Sequence, residues 1–227
     1  VKTVASALSI GSGASVGPAD PSLQIGAYLG SMFGQLLRLS DERIRTLVAS
    51  GVAGGIAAAF NAPITGIFFA LEIIIGDLRV NAFGIVALAA VAASVFTQAV
   101  SGANPAFHIP AYTFNSVWEL PLYFGLGVLS GLSAAFYIRL HHFTRDIFDT
   151  WNAPRWFKPV AAGLAVSLVG IYLPQVLGTG YATIGNILDG KPLSVTLLLS
   201  LALSRLVLTP ICISGGFLGG VFAPALF

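Results

Sequence analysis

Long apolar runs alternate along this chain with short breaks of glycine, proline and charged residues. The cleanest run, Ala82 to Val100, holds no charge and nearly reaches the ~20 residues a helix needs to cross a bilayer. Other apolar segments cover 47–60, 64–75, 117–138, 159–173 and 193–211. Pro18 and Pro21 stand where a helix can begin, because its first turn does not need their missing N–H groups. The pattern predicts a helix from Ser22 to Arg38, with Gly26, Gly30 and Gly34 spaced for close packing. Ser40 to Arg43 is a polar break in which Ser40 and Arg43 can cap a second helix running to Phe60. Asn61-Ala62-Pro63 breaks and restarts it as far as Gly76. After Asp77-Leu78-Arg79 come the span 82–101 and a loop, Ser101 to Phe114, with Pro105 and Pro110. A long helix from Val117 to Phe148 starts apolar and turns amphipathic at Arg139, His141, His142, Arg145 and Asp146. Pro154 to Lys158 is a connector flanked by Trp151 and Trp156 as interface anchors. Segments near 159–173, 181–188 and 193–212 complete the pattern.

Helices this unequal do not suit a bundle of full-width spans. They point to an all-α, polytopic membrane protein with broken helices and internal repeats. Composition strengthens that expectation: 56% of residues are hydrophobic and 9% charged, against roughly 25% charged in a soluble domain. Mean hydropathy is +0.88. A formal net charge of +2 gives no reason to expect nucleic acid or an acidic partner. Cys212 is alone, so it has no intrachain disulfide partner, and its apolar setting predicts an inert thiol. His108, His141 and His142 lack metal-ligand spacing and read as loop and helix-surface residues. The start at Val1-Lys2-Thr3 and the end at Phe227 predict one incomplete transmembrane domain over residues 1–227.

The chemistry concentrates in two glycine-rich turns that run into apolar helices. They are Gly11-Ser-Gly-Ala-Ser-Val-Gly-Pro-Ala-Asp-Pro21 and Gly215-Gly-Phe-Leu-Gly-Gly-Val-Phe-Ala-Pro224. Glycine leaves backbone N–H groups uncovered, and a following helix adds the positive end of its dipole. Two such turns in a membrane chain predict a path for small anions without a full positive charge. No cofactor, metal site or enzymatic step is expected. One rival exists: Gly13-Ala14-Ser15-Val16-Gly17 satisfies the Gly-x-Ser-x-Gly nucleophile elbow and would make Ser15 the nucleophile of a membrane hydrolase. That pattern requires a strand before the serine and a base beside it, and the flanks read as membrane helix.

At these residues the chain resembles the CLC family of chloride channels and chloride/proton exchangers. Gly17-Pro18-Ala19-Asp20-Pro21, followed by Gln24-Ile25-Gly26, is similar to the family's Gly-x-Glu-Gly-Pro filter motif. Gly54 to Pro63, with Gly66 and Glu72, is similar to its next helix pair, and Gly219 to Pro224 to its Gly-x-Phe-x-Pro motif. The resemblance implies an inverted-repeat architecture, of which this chain covers the end of the first half and the start of the second. It also implies a multi-pass protein of the cell membrane and a homodimer with one anion pore per subunit. Carried over by position, the anion-binding candidates are Gly17, Ala19 and Asp20 at the first turn, and Val221, Phe222 and Ala223 at the second. Pro18 cannot donate. A filter serine and a late tyrosine of the family have no counterpart here.

Two departures matter. Ala19 occupies the position of the family's gating glutamate, and Ile73, beside Glu72, that of an internal proton-path glutamate. A methyl group can neither compete with chloride nor carry a proton, so the expectation is an uncoupled, passive anion conductance. The alternative is a chloride/proton antiporter in which Ala19 stands in for the gate glutamate. Asp20 reads either as a displaced gate or as an acidic residue favoured at a helix start, an effect of about 0.3–1 kcal/mol. Glu72 reads as a proton carrier or as a buried glutamate bonded to nearby backbone, and Phe222 as a pore-lining ring or as plain packing.

Overall fold

The computed structural model describes residues 2–76, 80–103 and 116–226. The Asp77-Leu78-Arg79 break and most of the Ser101 to Phe114 loop, with Pro105, His108 and Pro110, lie outside the described residues. Every regular element described is helical. Among the described residues, three helices are long and apolar enough to cross a membrane: Ala82–Ser101, Glu119–Thr150 and Val195–Ser214. The chain divides into two compact units.

Unit 1 comprises Val1–Leu8, Gly17–His108 and Gly219–Ala223. Helix α1 (Lys2–Gly11), most of which belongs here, has no counterpart among the predicted elements. Helix α2 (Ala19–Leu36) starts as the prolines predict, with Pro18 at its N-cap and Pro21 in its first turn. Helix α3 (Asp41–Phe60) is capped at Ser40 by position only, since that side chain makes no cap hydrogen bond. α2 and α3 meet backbone to backbone. A Cβ built on Gly26 would lie 2.0 Å from the Gly51 carbonyl oxygen, and one on Gly30 2.2 Å from that of Leu47. The small residues spaced along α2 therefore set the distance of closest approach.

Asn61 ends α3 in the left-handed region at φ 52°, which asparagine tolerates better than most residues. Its Oδ1 accepts from Ser94 Oγ at 2.7 Å and from Gln98 Nε2 at 2.8 Å. That network ties the end of α3 to helix α5 (Val80–Ser101). Helix α4 (Pro63–Phe69) restarts at Pro63 and passes into a π-helical turn, Ala70–Ile75, that ends at Gly76. Arg45 closes this turn by donating to the carbonyls of Ile74 at 3.0 Å and Ile75 at 3.2 Å. The core of the unit is made of Ala49, Val52, Ala53, Ala57, Leu71, Val86 and Ala90.

Unit 2 comprises Ser9–Val16, Ile109–Leu218 and Pro224–Phe227. It contains α6 (Glu119–Thr150), α7 (Phe157–Tyr172), a 3₁₀ turn (Pro174–Val176), α8 (Tyr181–Leu188) and α9 (Val195–Ser214). The four α-helices fall within a few residues of their predicted places, and the 3₁₀ turn was not predicted. Trp151 and Trp156 are exposed and form edge contacts with Phe157, which suits amphipathic rings at a membrane interface. Cys212 is fully buried among Val16, Val166, Leu201 and Leu208. Arg205 is also buried, and its guanidinium donates to the carbonyls of Gln175 at 3.2 Å and Thr179 at 3.3 Å.

Candidate functional site

The two glycine turns, from opposite ends of the sequence, meet in unit 1. Gly17 N–H donates to the Gly220 carbonyl at 2.8 Å, and Gly220 N–H donates back to the Gly17 carbonyl at 2.7 Å. This reciprocal pair is an antiparallel bridge. Both positions need a residue without Cβ: one built on Gly17 would lie 2.7 Å from Ala223 Cβ, and one on Gly220 2.9 Å from the Asp20 nitrogen.

The bridge corrects one expectation. Gly17, a candidate anion donor, has its amide committed to Gly220 and serves to lock the turns together. The donors left over sit at helix starts. Ala19 and Asp20 open α2, and Phe222 and Ala223 open α10 (Phe222–Ala225), so their N–H groups have no intrahelical acceptor. A Cβ on Gly17 would also lie 3.3 Å from the Ala223 nitrogen, so amides of both turns converge on the bridge. Ala19 and Ala223 are buried, whereas Val221 and Phe222 are exposed. The Phe222 ring packs edge-on against Phe60 with centroids 5.2 Å apart. The network at Asn61, the residue after Phe60, gave no signal in the sequence beyond the helix-breaking Asn-Ala-Pro.

No lysine or arginine occurs among residues 17–21 or 219–224. Lys2 on α1 points its Nζ at Gln24 Oε1, 3.0 Å away. Gln24 in turn donates to Asp20 Oδ2 at 2.7 Å.

Two further expectations are corrected. Glu72 is not buried: it lies exposed on the π-helical turn beside Ile73, which is also exposed. A π-turn winds more residues per turn than an α-helix, so a face read at α-helical spacing drifts off the core. Ser15 is no nucleophile elbow, because the element before it is helix α1 and its side chain is fully buried. Ser15 Oγ shares a hydrogen bond with Thr209 Oγ1 at 3.2 Å.

Opening the bridge should be measurable directly. Gly220→Ala forces backbone apart, at about 1–3 kcal/mol for overpacking. The amides of Gly17 and Gly220 should then exchange with deuterium about ten to a hundred times faster, while those of the α9 core keep their parent rates. Unchanged exchange would mean that the bridge tolerates a Cβ.

A sequence profile described as voltage gated chloride channel matches residues 1–227. The chain is 35% identical, over its whole length, to chloride channel protein CLC-e of Arabidopsis thaliana, of which it covers 34%. Among solved structures, it superposes on a slow cyanobacterial Cl⁻/H⁺ antiporter with a TM-score of 0.80 and 26% identity, over 95% of this chain and 51% of that one. It also superposes on a CLC-type fluoride/proton antiporter with a TM-score of 0.81 and 27% identity, over 94% of this chain and 54% of the other. The chain thus spans between a third and about half the length of these proteins.

Proposed function

Since the chain belongs to the voltage-gated chloride channel family, we propose that it forms part of a path by which chloride or a similar small anion crosses the bilayer, uncoupled from protons. The observation that carries this reading is the Gly17–Gly220 bridge, which brings the free amides of two turns to one place. The start of α2 acts as about half a positive charge. That attracts an anion without holding it as lysine or arginine would, and conduction needs binding weak enough to release. The second turn adds donors from one short turn rather than from a long dipole.

The uncoupled character rests on side chains. Ala19 and Ile73 have no ionisable group where the family resemblance places its two proton carriers. Glu72 is exposed on the π-turn beside Ile73 and remains the one acidic group there. The competing reading, a chloride/proton or fluoride/proton antiporter, draws on the solved structures that the chain superposes on. No bond is made or broken in either reading. Broad apolar exposure on α4 and α5, at Ile64, Phe68, Leu88 and Val95, fits a surface covered by lipid or by the second subunit of a homodimer. A cell-membrane location goes with the same reading.

Flux through the full natural polypeptide in liposomes tests this. Under an outward chloride gradient, with potassium ionophore to clamp the voltage, chloride efflux is expected with no proton uptake. Proton movement driven by that gradient would establish exchange instead, and an absence of any anion flux would remove the anion path altogether.

A further inference from the structure

Asp20 places a carboxyl group in the first turn of α2, beside the amides that an anion would use. An unrestrained carboxylate there would compete for the same donors, as acidic side chains do at helix starts. This carboxylate is restrained. Gln24, one helical turn further on, donates its Nε2–H to Asp20 Oδ2 at 2.7 Å. The other end of the same amide accepts from Lys2 Nζ at 3.0 Å. That ammonium also lies 5.5 Å from the centre of the Tyr28 ring. A glutamine can serve both neighbours at once, because its amide has two donors on one side and an acceptor on the other. The result is a line of side chains from α2 to a cation on α1, all within unit 1.

The half of α3 that faces the start of α2, residues 46–60, contains no titratable side chain, and neither do residues 219–223. Lys2 is the one titratable residue of α1. A carboxylate bonded four residues along its own helix lies beside the first turn instead of over its end. We propose that Gln24 is a positioning residue of the anion path, holding the Asp20 carboxylate off the amides of Ala19 and Asp20, with Lys2 fixing the glutamine that does so. This rests on the anion-path reading above.

The test measures chloride flux through the full natural polypeptide in liposomes, at neutral pH and in a series of increasingly acidic buffers. Gln24→Leu removes both hydrogen bonds while leaving the backbone donors in place. Its flux should be about tenfold below the parent's at neutral pH, the scale of one charge-assisted hydrogen bond. It should recover as pH falls, because the freed group is then protonated and neutral. Adding Asp20→Asn to Gln24→Leu should restore flux at neutral pH and flatten the pH profile. A glutamine that merely supports the fold gives a loss at every pH and no rescue, and that result overturns the inference, as does a Gln24→Leu chain matching the parent across the pH series. A parent that passes no anion overturns the underlying reading and this inference together. A conducting parent with an indifferent Gln24 overturns the inference alone.

Discussion

A chain carrying Gly26→Val is expected to be lost as folded, monodisperse protein. The valine Cβ would stand 2.0 Å from the Gly51 carbonyl oxygen, and the reverse contact, Gly51 against the Gly26 oxygen, is equally short. Overpacking usually costs about 1–3 kcal/mol, because neighbouring side chains rotate out of the way. Here the neighbour is backbone in the middle of a helix, so α2 and α3 must separate. Separation loosens two more contacts of the same kind: Gly30 against Leu47 and Gly55 against Ser22. Association of helices in lipid depends on such close packing, because lipid tails satisfy exposed leucines as well as protein does. A cost above about 3 kcal/mol is a large share of the roughly 5–15 kcal/mol that holds a typical domain together. Gly84→Val is the control: it lies exposed on α5 with nothing within 4 Å of its Cβ position. Size-exclusion profiles and melting curves in detergent should separate the two variants. Parent-like melting of Gly26→Val would show that α2 and α3 need no backbone contact.

The same glycines explain why so much of the fold could be read in advance. Proline at a helix start, glycine every fourth residue and uncharged runs of bilayer length are local signals, and α2 to α9 follow them closely. The signals fail where the structure depends on something non-local or non-standard. The π-turn at Ala70–Ile75 changes the helical period, so Glu72 and Ile73 leave the face expected of them. Helix α1 gave little signal because its ten residues, from Lys2 to Gly11, are short of a bilayer span and have no acidic residue in the first turn or basic residue in the last. At the site, both turns and the helix starts behind them were legible in the local pattern. The sequence could not show that Gly17 and Gly220 pair with each other, because nothing in either turn specifies a partner at the far end of the chain. That pairing converts Gly17 from a candidate donor into a structural clamp. The restraint on Asp20 was equally out of reach: Gln24 lies at helical spacing from it, but Lys2 comes from another element.

Restoring a glutamate at position 19 should turn a steady anion path into one that closes at neutral pH. Ala19 opens α2, next to the free amides of its first turn, and its methyl group competes for none of them. A glutamate side chain there is long enough to fold back onto those N–H groups. Its carboxylate gains up to about 2 kcal/mol from a partly buried helix start, worth about thirtyfold in occupancy over an empty site. Chloride flux through Ala19→Glu should therefore fall by about ten- to thirtyfold at neutral pH and return as the carboxyl group is protonated near about pH 4. Because Ala19 is buried, bulk alone could lower flux, and Ala19→Gln separates the two causes: it has the same length without the charge. Electrostatic competition predicts a pH-dependent loss in the glutamate variant and a flat, smaller loss in the glutamine variant. Proton counter-transport needs a second carrier deeper in the path, and Ile73 cannot be one, so Ala19→Glu should gate the anion without tight coupling. Equal, pH-independent losses in both variants would remove position 19 from the gating mechanism and leave the amides of the second turn as the controlling element.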